Sequence, residues 1–370
     1  MVIEEIPTPA LLVDLERFRS NCDRMRRRAA DSGVSFRPHV KTHKTLEGAR
    51  IQFGGKAGPI TVSTLAEAEF YAAAGFDDIT YAVPIDGAKL ERAAALASKV
   101  RTLNLLFDHV QTLEAIEEFA RAHSFIPLLF LKVDSGAHRA GVDPAGPDGL
   151  ELAYRAHESR FVRLVGLLTH AGHSYVQTES GEIRQVAIEE AAVLTRMRQQ
   201  LGLFDLGRSI GSTPTASVVD RFPDAEEVRP GNYVFYDAHQ AAIGSCSLED
   251  CAATVLVTVI GVYPEQSKII VDGGALAFSK DPGPVHIAPD CGYGIVCSPD
   301  LKPLPAHFFS MSQEHGQIHL AGKVAPGAIR IGSRLRVIPN HSCLTAAMFD
   351  RYYVVERNSV IGEWKPVRGW

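Results

Sequence analysis

No stretch of this sequence approaches the ~20 consecutive apolar residues that a membrane-spanning helix requires. The longest candidate, residues 253–262, is strand-length and rich in Val and Thr. The six cysteines (Cys22, Cys246, Cys251, Cys291, Cys297, Cys343) form no CxxC pair and no regular framework. Free thiols in a reducing cytoplasm are therefore the expectation. Positive charge is not in excess: 38 Lys and Arg stand against 43 Asp and Glu, a formal balance of −5. Nucleic-acid surfaces are usually basic, so neither nucleic acid nor membrane is an expected partner. The one basic run, Arg24, Arg26, Arg27 and Arg28, falls on an expected helix and reads as a solvated face. Residues 1–12 carry Glu4 and Glu5 with no basic flank, which does not read as a signal peptide.

Apolar material is plentiful. Hydrophobic residues make up 46% of the 370, enough for a sizeable core. At roughly 150 residues per domain, the length suggests two domains. Hydrophobic periodicity gives eight strands at 35–41, 60–63, 78–83, 103–107, 127–133, 164–169, 208–212 and 232–236. Helix-length segments separate most of them, at 45–53, 65–74, 87–98, 110–123, 149–157 and 181–201. That alternation predicts a (β/α)8 TIM barrel. An open doubly wound sheet would place a Gly-rich phosphate loop after its first strand, and Thr42-His43-Lys44-Thr45 stands there instead. Beyond residue 240 the helical period fades, and β-type runs at 255–262, 268–271, 329–339 and 352–356 alternate with Gly/Pro turns. The expected division is a barrel over 15–240, with 1–14 plus 241–370 forming a β-rich domain. Residues 10–14 are expected to pair with the C-terminal sheet.

Barrel enzymes build their sites at the C-terminal ends of the strands. Lys41 ends the first expected strand; Asp134, Gly136 and Arg139 follow the fifth; His170 and Tyr175 follow the sixth. Gly211-Ser212-Thr213 follows the seventh, and Arg229-Pro230-Gly231-Asn232 leads into the eighth. The last two loops are the usual phosphate site of such barrels, where small residues let backbone N–H groups approach an anion. A lysine at a barrel mouth is partly desolvated, which lowers its pKa and lets its amine condense with an aldehyde. Lysine plus a phosphate cradle points to pyridoxal 5'-phosphate.

The string Arg37-Pro38-His39-Val40-Lys41-Thr42-His43-Lys44-Thr45 resembles the lysine motif of the D-serine dehydratase and D-threonine aldolase family. These are fold-type III pyridoxal-phosphate enzymes related to alanine racemase. Further matching segments are Thr8-Pro9-Ala10, Val62-Ser63-Thr64-Leu65-Ala66-Glu67-Ala68, Pro230-Gly231-Asn232-Tyr233, Gln313-Glu314-His315-Gly316, His341-Ser342-Cys343 and Pro366-Val367-Arg368-Gly369-Trp370, so the resemblance spans nearly the whole chain. It implies a barrel with a C-terminal β-rich domain, an alanine racemase-like fold, assembled as a homodimer. It also implies that Lys41 rather than Lys44 joins the cofactor. By the same resemblance Tyr175, Ser212, Thr213, Gly231 and Asn232 hold the cofactor, mostly at its phosphate. Arg139 matches the arginine that touches the ring oxygen, and Arg229 lies near the pyridine nitrogen.

His341 and Cys343 stand at i and i+2, which on a strand would put both on one face. An imidazole with a thiolate suits Zn²⁺, and two ligands leave open positions. The resemblance implies a His–Cys pair in the dehydratases, and a His–Asp pair suited to Mn²⁺ or Mg²⁺ in the aldolases. With Cys343 the chain sides with the dehydratases. A Zn²⁺ on the substrate hydroxyl would act as Lewis acid, Lys41 as base at Cα, and His315 as a proton relay or a second-layer residue. The expected reaction removes water from D-serine, D-threonine or D-threo-3-hydroxyaspartate to give a 2-keto acid and ammonia. The alternatives are an aldolase cleaving Cα–Cβ to glycine and an aldehyde, an alanine racemase, and a non-catalytic barrel-only vitamin carrier. A racemase would not need His341 and Cys343, and a barrel-only carrier would leave the C-terminal half unexplained.

Overall fold

A computed structural model describes residues 1–321 and 329–370 of the chain, which fall into two compact units. One comprises Asp23–Gly231 with Val367–Trp370; the other comprises Met1–Cys22 with Asn232–Pro366.

The first unit is built on eight parallel strands: Ser35–Phe36, Ile60–Val62, Asp78–Pro84, Thr102–Phe107, Leu128–Lys132, Arg163–Leu168, Gly207–Ile210 and Glu227–Val228. The first pairs with the last, and a parallel bridge between His39 and Thr61 joins the first to the second. Alternation along the strands divides the packing in two. Leu105, Leu129, Leu131 and Leu167 join the large core under the helices. Leu106, Phe130 and Leu168 form a small separate cluster. That cluster marks the barrel interior. Strand faces are therefore assignable by parity, and this fixes where the polar residues at the strand ends point.

The helices follow the sequence signals. Thr45 and Thr64 cap Leu46–Gln52 and Leu65–Ala73 by accepting from Gly48 and Glu67 N–H. Gly202, at φ +66°, closes the helix Ser180–Leu201. Arg28 departs from the solvated-face reading. Its guanidinium donates to the Ala216 and Ser217 carbonyls at 2.6 and 2.8 Å, at the end of the helix Thr213–Val218. Cations are favoured at helix C-termini, which explains the choice of residue.

Two barrel strands differ from expectation. The first is Ser35–Phe36 rather than 35–41, because Pro38 has no N–H to continue the ladder and Val40–Thr42 tightens into a 3₁₀ turn. The eighth is Glu227–Val228, not 232–236. Asn232–Val234 is a 3₁₀ turn, and Tyr236 has a φ of +48° that no strand tolerates.

The second unit is a nine-stranded mixed sheet. Ala10–Asp14 lies between Ala253–Tyr263, antiparallel, and Tyr352–Glu356, parallel, as its apolar pattern suggested. Arg334–Pro339 is shorter than the expected 329–339. Gly294–Cys297, Ala306–Met311, Gly316–Leu320 and Ser359–Trp364 are strands that periodicity did not reveal. Residues 341–343 are not a strand: His341 caps the helix Ser342–Ala347, and Cys343 lies in its first turn.

A buried ion network holds the barrel's first and last strands together. Arg37 bridges Glu227 on one side and Asp78 on the other, and all three are largely withdrawn from water. Removing the cation leaves the buried Glu227 without its ion pair and Asp78 with only the exposed Arg101. Arg37→Ala should therefore lose about 3–5 kcal/mol, read as a large fall in thermal midpoint. A midpoint unchanged from wild type would show that the network contributes nothing.

Candidate active site

Lys41 sits in the 3₁₀ turn Val40–Thr42, just past the first barrel strand, and its backbone N–H points at His39 Nδ1, 3.4 Å away. Lys44, three residues on, is committed elsewhere: its Nζ is 2.8 Å from Glu67 Oε1, a carboxylate whose side chain is 1% exposed. His43 is buried and packed between Thr45 Oγ1 and Gln52 Oε1, and burial pushes it down to about 4. Within the KTHK string Lys41 acts on both His39 and His170 of the strand-end cluster, while Lys44 is paired with Glu67.

Those groups form one electrostatic cluster. Burial pushes His39 well below the ordinary imidazole range, helped by Lys41, Arg229, His170 and Lys44. His170 is depressed in the same way, by burial and then by Lys41, Lys132 and Arg139. Both rings are thus neutral at physiological pH. His170 Nδ1 is 3.1 Å from the Gly211 carbonyl. Arg229 is buried, with its guanidinium donating to Ser209 Oγ and the Thr169 carbonyl, and burial pulls it down to about 10. Arg139 lies exposed on the loop after Lys132. The opposing charge is sparse. Glu190 reaches in from the helix Ser180–Leu201, where its Oε1 accepts from Thr169 Oγ1 at 2.7 Å and Gly211 N–H at 3.1 Å.

Beside this cluster lies a nest of buried hydroxyls. Ser212 Oγ is 2.9 Å from both Ser174 Oγ and Thr215 Oγ1, and Gly231 N–H donates to Thr213 Oγ1 at 3.3 Å. A Cβ at Gly231 would stand 3.0 Å from His39 Cβ and 3.1 Å from its carbonyl, so a side chain there would crowd His39. Tyr175 is half-buried in the adjoining 3₁₀ turn Gly172–Val176. Small donors packed this closely suit a tetrahedral dianion, so these residues fit a phosphorylated cofactor with an aldehyde for Lys41.

In the second unit His341 and Cys343 are brought together at a helix start. His341 Nδ1 is 3.1 Å from Asp281 Oδ2, and the Cys343 thiol is within hydrogen-bonding reach of the ring. Burial lowers the imidazole, but Asp281 and Cys343 outweigh it and push it up to about 11. Asn232 Nδ2 donates to Asp237 Oδ2 at 2.7 Å and Ser342 Oγ at 2.9 Å, with Cys343 Sγ at 3.6 Å. Its side chain therefore faces the cysteine. Imidazole, thiol and a carboxylate behind the imidazole are a donor set suited to Zn²⁺. Among the described residues no group of three or more His, Cys, Asp or Glu converges on a metal position. His315 occupies the turn between Ala306–Met311 and Gly316–Leu320, with its ring exposed and without a hydrogen bond among the described residues.

Four residues of these clusters escaped the sequence reading. Lys132 gave a signal, a lysine closing the apolar strand Leu128–Lys132 just as Lys41 closes the first. Glu190 lies on the buried face of an otherwise ordinary amphipathic helix. Asp281 and Asp237 gave none, because their partners lie 60 and 105 residues away.

Comparison with known proteins adds to this geometry. Residues 252–355 match the family described as "Putative serine dehydratase domain", and residues 13–239 match "Alanine racemase, N-terminal domain". The chain is similar to a D-serine dehydratase of Dictyostelium discoideum, at 38% identity over 100% of this chain and 98% of that protein. It is 37% identical to the D-threo-3-hydroxyaspartate dehydratase of Delftia sp. (strain HT23), over 99% of this chain and 98% of that one. The solved structure of the Delftia enzyme superposes with a TM-score of 0.94 over the whole of both chains. A D-threo-3-hydroxyaspartate dehydratase mutant has been solved in a metal-free form. A D-threonine aldolase of Arthrobacter sp. is more distant, at 28% over 98% of this chain and 93% of that protein.

Lys44→Ala leaves Glu67 as a buried unpaired charge and should cost about 3 kcal/mol of stability, read as a fall in thermal midpoint. A midpoint unchanged from wild type would contradict the Lys44–Glu67 pairing.

Proposed function

This chain belongs to the alanine racemase-like family of the D-serine and D-threo-3-hydroxyaspartate dehydratases, pyridoxal-phosphate-dependent lyases, and we propose that it removes water from a β-hydroxy-D-amino acid. The products would be a 2-keto acid and ammonia. The observation that carries the proposal is the placement of Lys41 among Arg229, His170 and His39 while Lys44 is locked to Glu67. Full-length identities of 38% and 37% to two dehydratases, against 28% to an aldolase, favour elimination over retro-aldol cleavage.

In this reading the unit around residues 23–231 holds the cofactor and the unit around 232–366 holds a metal. Ser212, Thr213, Tyr175 and the Gly231–Asn232 backbone seat the phosphate, Arg139 the ring oxygen, and Arg229 the ring edge near the pyridine nitrogen. Pyridoxal phosphate supplies, when bound, an electron sink for negative charge at the substrate Cα. Lys41 would hold the cofactor through its amine and take the substrate Cα proton on its Nζ. Burial lowers the basicity of His39 and His170, which leaves Lys41 the stronger base of the cluster. Arg229, pulled down only to about 10, keeps its proton and would face the cofactor ring as a cation. His341 and Cys343 would hold the metal, Zn²⁺ with Mn²⁺ and Mg²⁺ as alternatives, which would supply Lewis acidity for loss of the β-hydroxyl. Asp281 accepts from His341 Nδ1–H and so presents Nε2 for ligation. His315 is an exposed proton donor in this scheme. A homodimeric assembly and a cytoplasmic location belong to the same proposal, on the resemblance alone.

Two experiments test it. The loaded protein is incubated separately with D-threo-3-hydroxyaspartate, D-serine and D-threonine, and ammonia and glycine are assayed together. Ammonia and a 2-keto acid without glycine are expected; glycine with an aldehyde would make the chain an aldolase. Asp281→Ala should weaken Zn²⁺ binding roughly 10- to 100-fold in a chelator competition. Unchanged affinity would remove Asp281 from the metal site.

A further inference from the structure

One buried amine has no assigned task. Lys132 is 5% exposed and ends the strand Leu128–Lys132. It stands two residues past Phe130, whose ring packs with Leu106 and Leu168 in the barrel interior, so its side chain enters that interior. The chain then loops out and returns to the same strand end. Val142 N–H donates to the Lys132 carbonyl at 2.9 Å and Asp134 N–H donates to the Val142 carbonyl at 3.0 Å. A Cβ at Gly141, where φ is +119°, would meet Asp134 N at 2.6 Å, so the closure of the Arg139 loop depends on that glycine.

The Lys132 amine makes no hydrogen bond among the described residues. The charged groups that act on it are Arg229 beyond the last strand, Arg139 on the returning loop, Glu190 from the helix Ser180–Leu201, and Asp134 two residues on. His170, past the neighbouring strand, is in the same field. Neither acid makes a hydrogen bond or an ion pair with it among the described residues. Asp134 Oδ1 accepts from Gly136 and His138 N–H, and its Oδ2 faces His138 Nδ1. Glu190 Oε1 is taken by Thr169 and Gly211, and its buried Oε2 makes no hydrogen bond. A cationic side chain so placed is normally paired. Burial first, then the two arginines, pull the amine down to about 7.

We propose that Lys132 is an oxyanion-binding residue of the barrel interior, seating an anionic oxygen of the bound cofactor or of the substrate. This rests on the reading that the barrel unit binds pyridoxal phosphate. An anion at the amine stabilises its charged form, so ligand binding draws a proton onto Lys132. Affinity is then greatest at low pH and falls as pH rises through 7. Without ligand the sign reverses. From about pH 7 to the ordinary lysine value the folded chain binds fewer protons than the unfolded one, so the buried amine destabilises the apoprotein most at low pH.

The test uses Lys132→Met, which keeps the volume and removes the charge, with Lys132→Gln as a polar control. Pyridoxal phosphate is titrated into the full-length apoprotein at about pH 6 and about pH 9; the wild-type dissociation constant should rise at least roughly tenfold, since each pKa unit gained on binding is a factor of ten. If the cofactor supplies the oxyanion, Lys132→Met loses that excess slope and shifts the bound cofactor's absorbance. If the substrate supplies it, cofactor binding is unchanged, and half-saturation by D-threo-3-hydroxyaspartate or D-serine rises about tenfold or more. In both cases the apo variant melts no lower than wild type at neutral pH. A variant that alters neither cofactor nor substrate binding, or an apo variant that melts well below wild type, overturns the proposal. Wild-type protein that binds no pyridoxal phosphate overturns the parent reading instead.

Discussion

Positive charge withdrawn from water has to be compensated, and that constraint organises the barrel unit. Arg229 and Lys132 are buried at the strand ends, Lys41 acts on His39 and His170, Arg139 acts on His170, and the acids nearby are few. Burial suppresses what charge it can: His39 and His170 are held well below the ordinary imidazole range, and Lys132 is pulled down to about 7. Arg229 cannot lose its proton and instead satisfies its donors on Ser209 and Thr169. What remains is a polar cluster with a positive field and small hydroxyl residues beside it. Such a cluster favours a phosphorylated, phenolic or carboxylated ligand over a neutral one. The proposed chemistry needs that environment, because negative charge develops at the substrate Cα.

The second unit meets a different constraint with similar means. His341 and Cys343 would be a chance pair on a flexible loop. Here they begin a helix, and each is tied from behind. Asp281 fixes the ring through Nδ1, while Asn232, itself gripped by Asp237, sets a donor against the thiol. Asp237 also caps the backbone at Ser342 N–H, 3.0 Å away. One buried carboxylate therefore orders the turn, the amide and the helix start together.

The amount visible in the sequence follows from the range of the interactions involved. Strand–helix alternation is local, and it yielded the barrel and most of its boundaries. Where it failed, local sterics outweighed periodicity: Pro38 stopped the first strand, and the turn leading to Asp237 displaced the eighth to Glu227–Val228. In the C-terminal unit several strands alternate only weakly, such as Ala306–Met311 with its bulge between Phe308 and Ser310, and these were missed. Lys41 was legible as a strand-end residue by barrel geometry, whereas Arg229 and Gly231, expected ahead of an eighth strand at 232–236, follow the strand Glu227–Val228 instead. Lys132 was legible by the same rule and overlooked. Asp281 and Asp237 were not legible at all, since only the fold brings them to His341 and Ser342.

The central claim is that Lys41, and no other lysine of this basic pocket, carries the cofactor. Borohydride reduction of the pyridoxal-phosphate-loaded protein, followed by peptide mass mapping, tests it most directly. A single phosphopyridoxyl adduct on Lys41 is the expected result. An adduct on Lys44 or Lys132, or a spread over surface lysines, would contradict it.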